Sequence, residues 1–500
     1  MKDNNSLFER AALALGAQLK RCALPFASAL VFGLLAHMYA FTNKLLNADE
    51  TAALFSKGAT LTSGRWGLEA TRLIFPDVSM PWIYGIISLL LIAGAVCLIS
   101  AAFGFKKPAT QILLSGAVAA FPALTGNFCY MFTAPSYALA IFLAVLAVYL
   151  FARGGRVRAV AGVAALAFSL GIYQAYIALA ASLCVTLLLA ELMKSEAQPG
   201  KLLKSALRYL LLLAVALGLY YGVTAVVELC ADTGYQEYEV TSKLSVFRGI
   251  LTAYTSFVGI FVYGNYGFVN SALSLAAHLV CAALILAGLG YALWRKKDAR
   301  SAALALVLLA VYPLSVNCMY LVASPDIIHT LVLFSFVSFY VLALAVLEFS
   351  GVPGRVFGAV GAVALALIIA ANVYFANKVY LKMQLEYENA YAFYNSLMAE
   401  VMDNPNFSRY TIIDIVGDVQ SGLTDFSEDI DTRCFTGPNE NLVNIYTRVS
   451  FIKYYMGLDL YMYREDTILN CEWYNEMPCY PADGSIKWLE DENRIVIKLS

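Results

Sequence analysis

The chain has 500 residues, 60% of them apolar and 14% charged, with 34 Lys and Arg against 35 Asp and Glu. Its mean hydropathy of +0.69 lies outside the range of soluble globular domains and marks an integral membrane protein. The net charge of -1 is the sum of charges segregated by side; it offers no basic surface for nucleic acid and has to be counted loop by loop.

A bilayer core of roughly 30 Å needs about 20 apolar residues per helix. In chain order, apolar runs of that kind, charge-free but for Glu191 and Glu228 near two of their ends, cover 22–42, 82–104, 109–125, 134–152, 159–173, 176–193, 209–228, 269–293, 301–322, 328–347 and 356–376, eleven predicted spans. The first is long enough for a retained signal anchor rather than a cleaved signal peptide, and residues 6–19 before it could lie on the cytoplasmic leaflet as an amphipathic helix. Eighteen Lys and Arg, among them Lys20, Arg21, Lys106, Lys107, Arg153, Arg156, Arg295, Lys296 and Arg355, fall at span ends of one parity. The opposite loops hold six: Lys44, Lys57, Arg65, Arg72, Lys243 and Arg248. The positive-inside rule makes the first side cytoplasmic. The N-terminus is then inside and the C-terminus outside.

Residues 249–268 are also charge-free, but counting them as a twelfth span would put "WRKKDAR" (294–300) outside. They read instead as an interfacial or re-entrant element on the outer face, where Tyr254, Phe257, Phe261, Tyr263 and Tyr266 suit an aromatic belt. From about residue 377 the composition becomes polar and Tyr-rich, with ten basic and twenty acidic residues. The chain thus divides into a polytopic domain, 1–376, and an extracytoplasmic domain, 377–500. A helical stretch at 378–403, a β-branched run at 410–418 and the closing "NRIVIKLS" predict a small α/β module there. Seven of the ten cysteines are scattered through the membrane part, where a thiol behaves as a small apolar residue. Cys434, Cys471 and Cys479 would allow one disulfide with a thiol left over, the pair being undetermined.

The polar residues gather in the outer loops. The first holds Asp49, Glu50, Arg65, Trp66, Glu69 and Arg72; the second Asn127, Tyr130 and Thr133; the third, a tight turn, "GIYQAY" (171–176); the fifth Asn317, Asp326 and His329. Asp49 and Glu50 read either as two solvated acids beyond a helix end or as catalytic carboxylates. The arginines on the same side favour the second reading, because guanidinium groups bind phosphate with forked geometry. A partly desolvated carboxylate can act as general base on a sugar hydroxyl. Trp66 is either an interface anchor or a stacking face for a sugar. Tyr173 and Gln174 belong either to an aromatic-belt turn or to a cavity wall. Two adjacent acids without further carboxylate clusters make a weak metal site.

Three of these features together, the acidic pair, "SGRWGLEATRL" (63–73) and "SLGIYQAYIA" (169–178), resemble the GtrII family of bacterial membrane glucosyltransferases, of the GT-C class. The likeness covers the membrane part, about three quarters of the chain. It implies a plasma-membrane enzyme that takes a sugar, glucose by the resemblance alone, from an undecaprenyl-phosphate carrier and passes it to a cell-surface glycan on the outer face. No nucleotide sugar and no cofactor are implied. By the same likeness Asp49 and Glu50 are the catalytic pair, with Arg65 and Trp66 around them and Tyr173 and Gln174 at the pocket wall. Arg72, Asn127 and His329 are further candidates for substrate contact. The family pair is commonly two aspartates, so Glu50 departs from it, and Asp49 is the preferred base. Lipopolysaccharide-type glycan (O-antigen), teichoic acid or another wall polymer would all serve as acceptor.

The chief alternative is a secondary transporter or flippase for a lipid-linked or polar substrate. It would call for ionisable residues at mid-membrane or matched broken helices, and the spans have neither; His37 and His278 are explained equally well as core histidines with backbone partners. A second alternative is a non-catalytic surface or assembly protein.

Overall fold

The computed structural model describes residues 7–52, 60–76, 78–194, 196–232, 243–263, 267–323, 328–419, 442–462, 468–469 and 471–500. Two compact units emerge: one of residues 1–42, 59–76 and 80–377, the other of 43–58, 77–79 and 378–500.

The first unit is helical. Helices α1 (Leu7–Thr42), α4 (Pro81–Phe103) and α5 (Pro108–Ala119) pack together, and α4 also packs on α7 (Ala134–Arg153), which meets α8 (Arg156–Ile172). Helices α9 (Tyr176–Met193), α10 (Pro199–Ala231), α13 (Ala299–Val316) and α14 (Val337–Phe349) form a second group, with α12 (Ala272–Lys296) against α14. Proline opens α4, α5 and α10, where its missing N–H costs nothing and its fixed φ suits the first turn. The same chemistry breaks a span: Pro122 cannot continue α5, so the run from Pro108 to Cys129 is two helices, α5 and α6 (Pro122–Cys129). Their ends are satisfied from neighbours. Glu348 accepts the backbone N–H groups of Lys106 and Lys107, at 3.1 and 3.2 Å, ahead of α5. At the other end of α5, His37 Nε2 donates to the Ala119 carbonyl at 2.8 Å.

Among the described residues ten helices are long and apolar enough to cross a membrane, one fewer than the eleven spans expected. The expected span at 159–173 is α8, only 17 residues long, because Gly155 precedes it and Tyr173 leaves the helix for extended backbone. Residues 249–268 fall largely in α11 (Lys243–Tyr263), whose apolar stretch Val246–Val262 is also shorter than those ten. Length therefore treats α8 and α11 alike.

The aromatic-belt reading of α11 is corrected by its packing. Phe257 stacks on Phe336 at 5.6 Å and Phe261 sits 4.6 Å from Phe339, while the Tyr254 hydroxyl donates to the Ala310 carbonyl at 2.6 Å. These rings bind α11 to its neighbours. The side chain of Tyr263 and all of Tyr266 lie outside the described residues.

In the second unit the end of α15 (Arg355–Met402) packs on a four-stranded sheet of order β2-β1-β4-β3. Strand β1 (Ile412–Val416) runs parallel to both β2 (Tyr461–Met462) and β4 (Arg494–Lys498); β3 (Ile486–Leu489) is antiparallel to β4. Strand alternation sends Ile413, Ile415, Ile495 and Ile497 to the helix side, against Tyr394, Leu397 and Val401. Val496 faces the opposite way, onto Ile468, Tyr474 and Met477. With both faces covered, the central strands are the near-continuous β-branched runs that the sequence shows. Of the three cysteines that could form the expected disulfide, Cys471 and Cys479 are free thiols, and Cys434 lies outside the described residues.

Candidate active site

In the first unit the two sequence motifs meet through their glycines. A turn at Leu61–Gly64, closed by Gly64 N–H to the Leu61 carbonyl at 2.9 Å with Gly64 at φ +69°, delivers Arg65 to the head of α3 (Trp66–Thr71). Gly67 on that helix abuts the backbone of Gly171 and Ile172 at the end of α8; a Cβ there would lie 2.7 Å from the Gly171 carbonyl carbon. The Trp66 ring lies over Gly171, where a Cβ would come within 2.6 Å of it, and edge-on to Phe168 at 5.8 Å. Trp66 is packed between α3 and α8.

The turn after α8 grips the Gly-Arg-Trp segment from the other side. Gln174 Nε2 donates to the Ser63 carbonyl at 2.7 Å and to the Tyr220 hydroxyl at 2.9 Å, and that hydroxyl donates to the Gly64 carbonyl at 3.3 Å. Gln174→Leu strips a donor from these acceptors. Each half-buried group left unsatisfied costs about 1–3 kcal/mol, so the variant should melt measurably earlier in a detergent thermal-unfolding scan. An unchanged melt would mean the clamp carries no weight.

Arg65 is held on aromatic rings. Its guanidinium lies over Tyr173, 5.1 Å from the ring centroid, and Nη1 donates to the Tyr137 hydroxyl at 3.3 Å. Tyr137 and Tyr173 are both nearly buried and stack at 4.8 Å, and Tyr176 meets Tyr173 edge-on at 5.5 Å. A guanidinium stacked this way has its charge partly balanced by the ring quadrupoles beneath it. Arg72 is differently engaged: it pairs with Glu69 at 2.6 Å, and Glu69 also accepts from the Thr60 hydroxyl at 2.8 Å. Asn127, expected in a loop, is in helix α6 and buried, near the Tyr176 hydroxyl. His329 heads the 3-10 segment Thr330–Phe336, which packs on α6 and α9. Asp326 lies outside the described residues.

Tyr137, Tyr176 and Tyr220 complete this cluster. A tyrosine within an apolar span, as in "APSYALAIF" or "LGLYYGVT", needs a partner for its hydroxyl. That was the signal available for them.

Asp49 and Glu50 belong to the second unit, on the short helix α2 (Ala48–Ala52), and their surroundings are opposite. Asp49 is exposed. Glu50 is fully buried, and its Oε1 pairs with Lys44 at 2.5 Å. Its backbone N–H donates to the Asn47 side chain at 2.7 Å, a local bond that starts the helix. Its charge, after burial, is the next cause that raises the Tyr455 phenol above its ordinary pKa. Leu46, just before, is part of the apolar core around Tyr394 and Phe451. Lys44→Met would leave a buried carboxylate without its cation. Breaking a fully buried pair costs about 3–5 kcal/mol; with Lys44 about a third exposed, on the order of 2–3 kcal/mol is expected. The Lys44→Met/Glu50→Gln double variant should recover most of it, and additive losses in that cycle would refute the coupling.

Many long apolar helices are those of a multi-pass membrane protein, and a guanidinium mounted on buried tyrosines lies among them. Residues 38–345, more than half of the chain, match the family model described as Glucosyl transferase GtrII, and the protein belongs to that family. No curated protein and no solved structure matches the chain. The match takes in both glycine motifs and the acidic pair, and membership supports a glycosyltransferase with a sugar donor and a glycan acceptor.

Proposed function

We propose that this protein is a GT-C type glucosyltransferase that moves glucose from an undecaprenyl-phosphate carrier to a cell-surface glycan at the outer face of a bacterial plasma membrane. The charge count over the loops supports a cytoplasmic N-terminus and an outer C-terminal domain. The observation that carries the reading is Arg65, fixed over Tyr173 and bonded to Tyr137 at the meeting point of the two family motifs. It binds the carrier phosphate and stabilises the charge that collects there as the sugar leaves. Trp66 and Gln174 position the segment that bears it. Arg72, already paired with Glu69, and His329 contribute at its edge.

Asp49 is the general base: the acceptor hydroxyl loses its proton to this carboxylate, attacks the anomeric carbon, and the bond from that carbon to the phosphate oxygen breaks. One displacement inverts the anomeric centre. Glu50, buried and paired, holds α2 rather than meeting substrate. Purified protein incubated with undecaprenyl-phosphate glucose and extracted wall polymers should yield glycan heavier by one hexose in mass spectrometry, with the anomer inverted. No mass gain with any polymer, alongside measurable transport of the lipid-linked sugar in vesicles, would favour the flippase reading instead.

A further inference from the structure

Six cations gather at one end of the first unit with no acid among them. Arg153 closes α7, Arg156 and Arg158 open α8, and Lys201, Lys204 and Arg208 lie in the opening turns of α10. All six are exposed. No Asp or Glu occurs from residue 78 to 190 or from 197 to 227, and none of the six is within ion-pair distance of a carboxylate among the described residues. Lys194, just before α10, differs in having Glu191 at 2.5 Å.

The fold draws the six together. The Arg208 guanidinium reaches the turn between α7 and α8, where its Nη2 donates to the Phe151 carbonyl at 2.8 Å and its Nη1 would lie 3.4 Å from a Cβ on Gly154. Arg158 bends back over the same turn and donates to the Arg153 carbonyl at 3.3 Å. These bonds use a fraction of the five N–H donors on each guanidinium. Lys204 and Lys201 stand four and seven residues before Arg208, on the same face of α10. Like charges this close repel, and an anion set between them removes that cost.

The adjoining surface is apolar. Val157 and Val160 on α8 and Leu203 and Leu207 on α10 are exposed, and residues 209–227 carry no charge. An anion that matches both surfaces has phosphate at one end and hydrocarbon at the other. We propose that the α7–α8 turn and the start of α10 bind an anionic phospholipid, its phosphate held by the guanidinium forks and its acyl chains along the two helices. The site lies at the opposite end of α8 from Tyr173 and Arg65, and it does not depend on the reaction proposed above.

The test titrates purified protein with phosphatidylglycerol, zwitterionic phosphatidylethanolamine and inorganic phosphate, counting bound lipid by native mass spectrometry. Wild type should bind phosphatidylglycerol the more tightly of the two lipids. A basic residue beside an anionic headgroup contributes about fivefold in affinity, so Arg153→Gln/Arg156→Gln/Arg158→Gln should lose on the order of a hundredfold, with its melting point without lipid unchanged. Lys201→Gln/Lys204→Gln leaves the turn alone, should lose on the order of twentyfold, and serves if the triple variant fails to fold. Lys20→Gln/Arg21→Gln/Arg300→Gln removes the same charge elsewhere and should keep the affinity. Equal binding of the two phospholipids, or an equal loss in that control, overturns the proposal and leaves only an unspecific response to net charge or hydrocarbon. Displacement of the lipid by inorganic phosphate at equal concentration also overturns it, because the ligand would then be a free anion.

Discussion

Asp49→Asn is expected to lower turnover by about 10²–10⁴, the range by which a positioned general base accelerates proton removal, with the protein still folded and inserted. The argument is one of access. An acceptor hydroxyl has to come within hydrogen-bond reach of the base, and Asp49 is exposed whereas Glu50 is fully buried with an oxygen on Lys44. Asparagine keeps the shape of the side chain and removes only its basicity. Glu50→Gln should behave differently: it unsettles α2, shows as a lower melting point, and leaves a correctly folded fraction that still turns over. Donor-to-polymer transfer, followed by product mass with a melt on the same sample, separates the two. Full activity in Asp49→Asn would dismiss this carboxylate as the base.

Gly67→Ala should be nearly as damaging by a mechanical route. The added methyl meets the Gly171 carbonyl carbon at 2.7 Å and the Ile172 nitrogen at 2.8 Å. Both are backbone atoms, unable to swing aside as a side chain would, so α3 has to lift off the end of α8. Overpacking of this kind costs typically 1–3 kcal/mol and occasionally more, and about 3 kcal/mol is expected here. The folded fraction should suffer as well, because Arg65 immediately precedes α3 and Tyr173 immediately follows α8. A displacement of order 1 Å between reacting groups can cost about 10²-fold in rate. Gly218→Ala is the control: nothing lies within 4 Å of the methyl it adds, and alanine favours helix by up to about 1 kcal/mol. Parallel melts that fall alike for both variants would remove the steric explanation.

The spans were legible because hydrocarbon tolerates so little charge that long apolar runs announce themselves. Their ends were less so, since ends are set by local chemistry. Pro122 breaks a run that hydropathy reads as continuous, which is why Asn127 was expected in a loop and is helical. Phe257 and Phe261 recur four residues apart on one helix face. That spacing is the same for rings lying at a membrane surface and for rings packed on Phe336 and Phe339, and only the fold distinguishes them. At the site, the residue types in "SGRWG" and "GIYQAY" flagged both segments, and each carried a glycine whose purpose became visible only when the two were found touching. Tyr137 and Tyr220 were hidden by their setting, each one of several phenols in a largely apolar helix. The contrast between Asp49 and Glu50 could not be read at all, since adjacent acids look alike until burial tells them apart.

Leu46 is built into the same hydrophobic nucleus as the C-terminal sheet, and the described residues 43–52 belong to the same unit. The segment that carries Asp49 is thus moored by sequence more than three hundred residues downstream. A shortened protein stopping near residue 377 would retain its membrane helices yet lose the ballast under its proposed base. Grafting another family member's tail onto this body would demand exchanging the 43–58 segment along with it, as matched halves of one part.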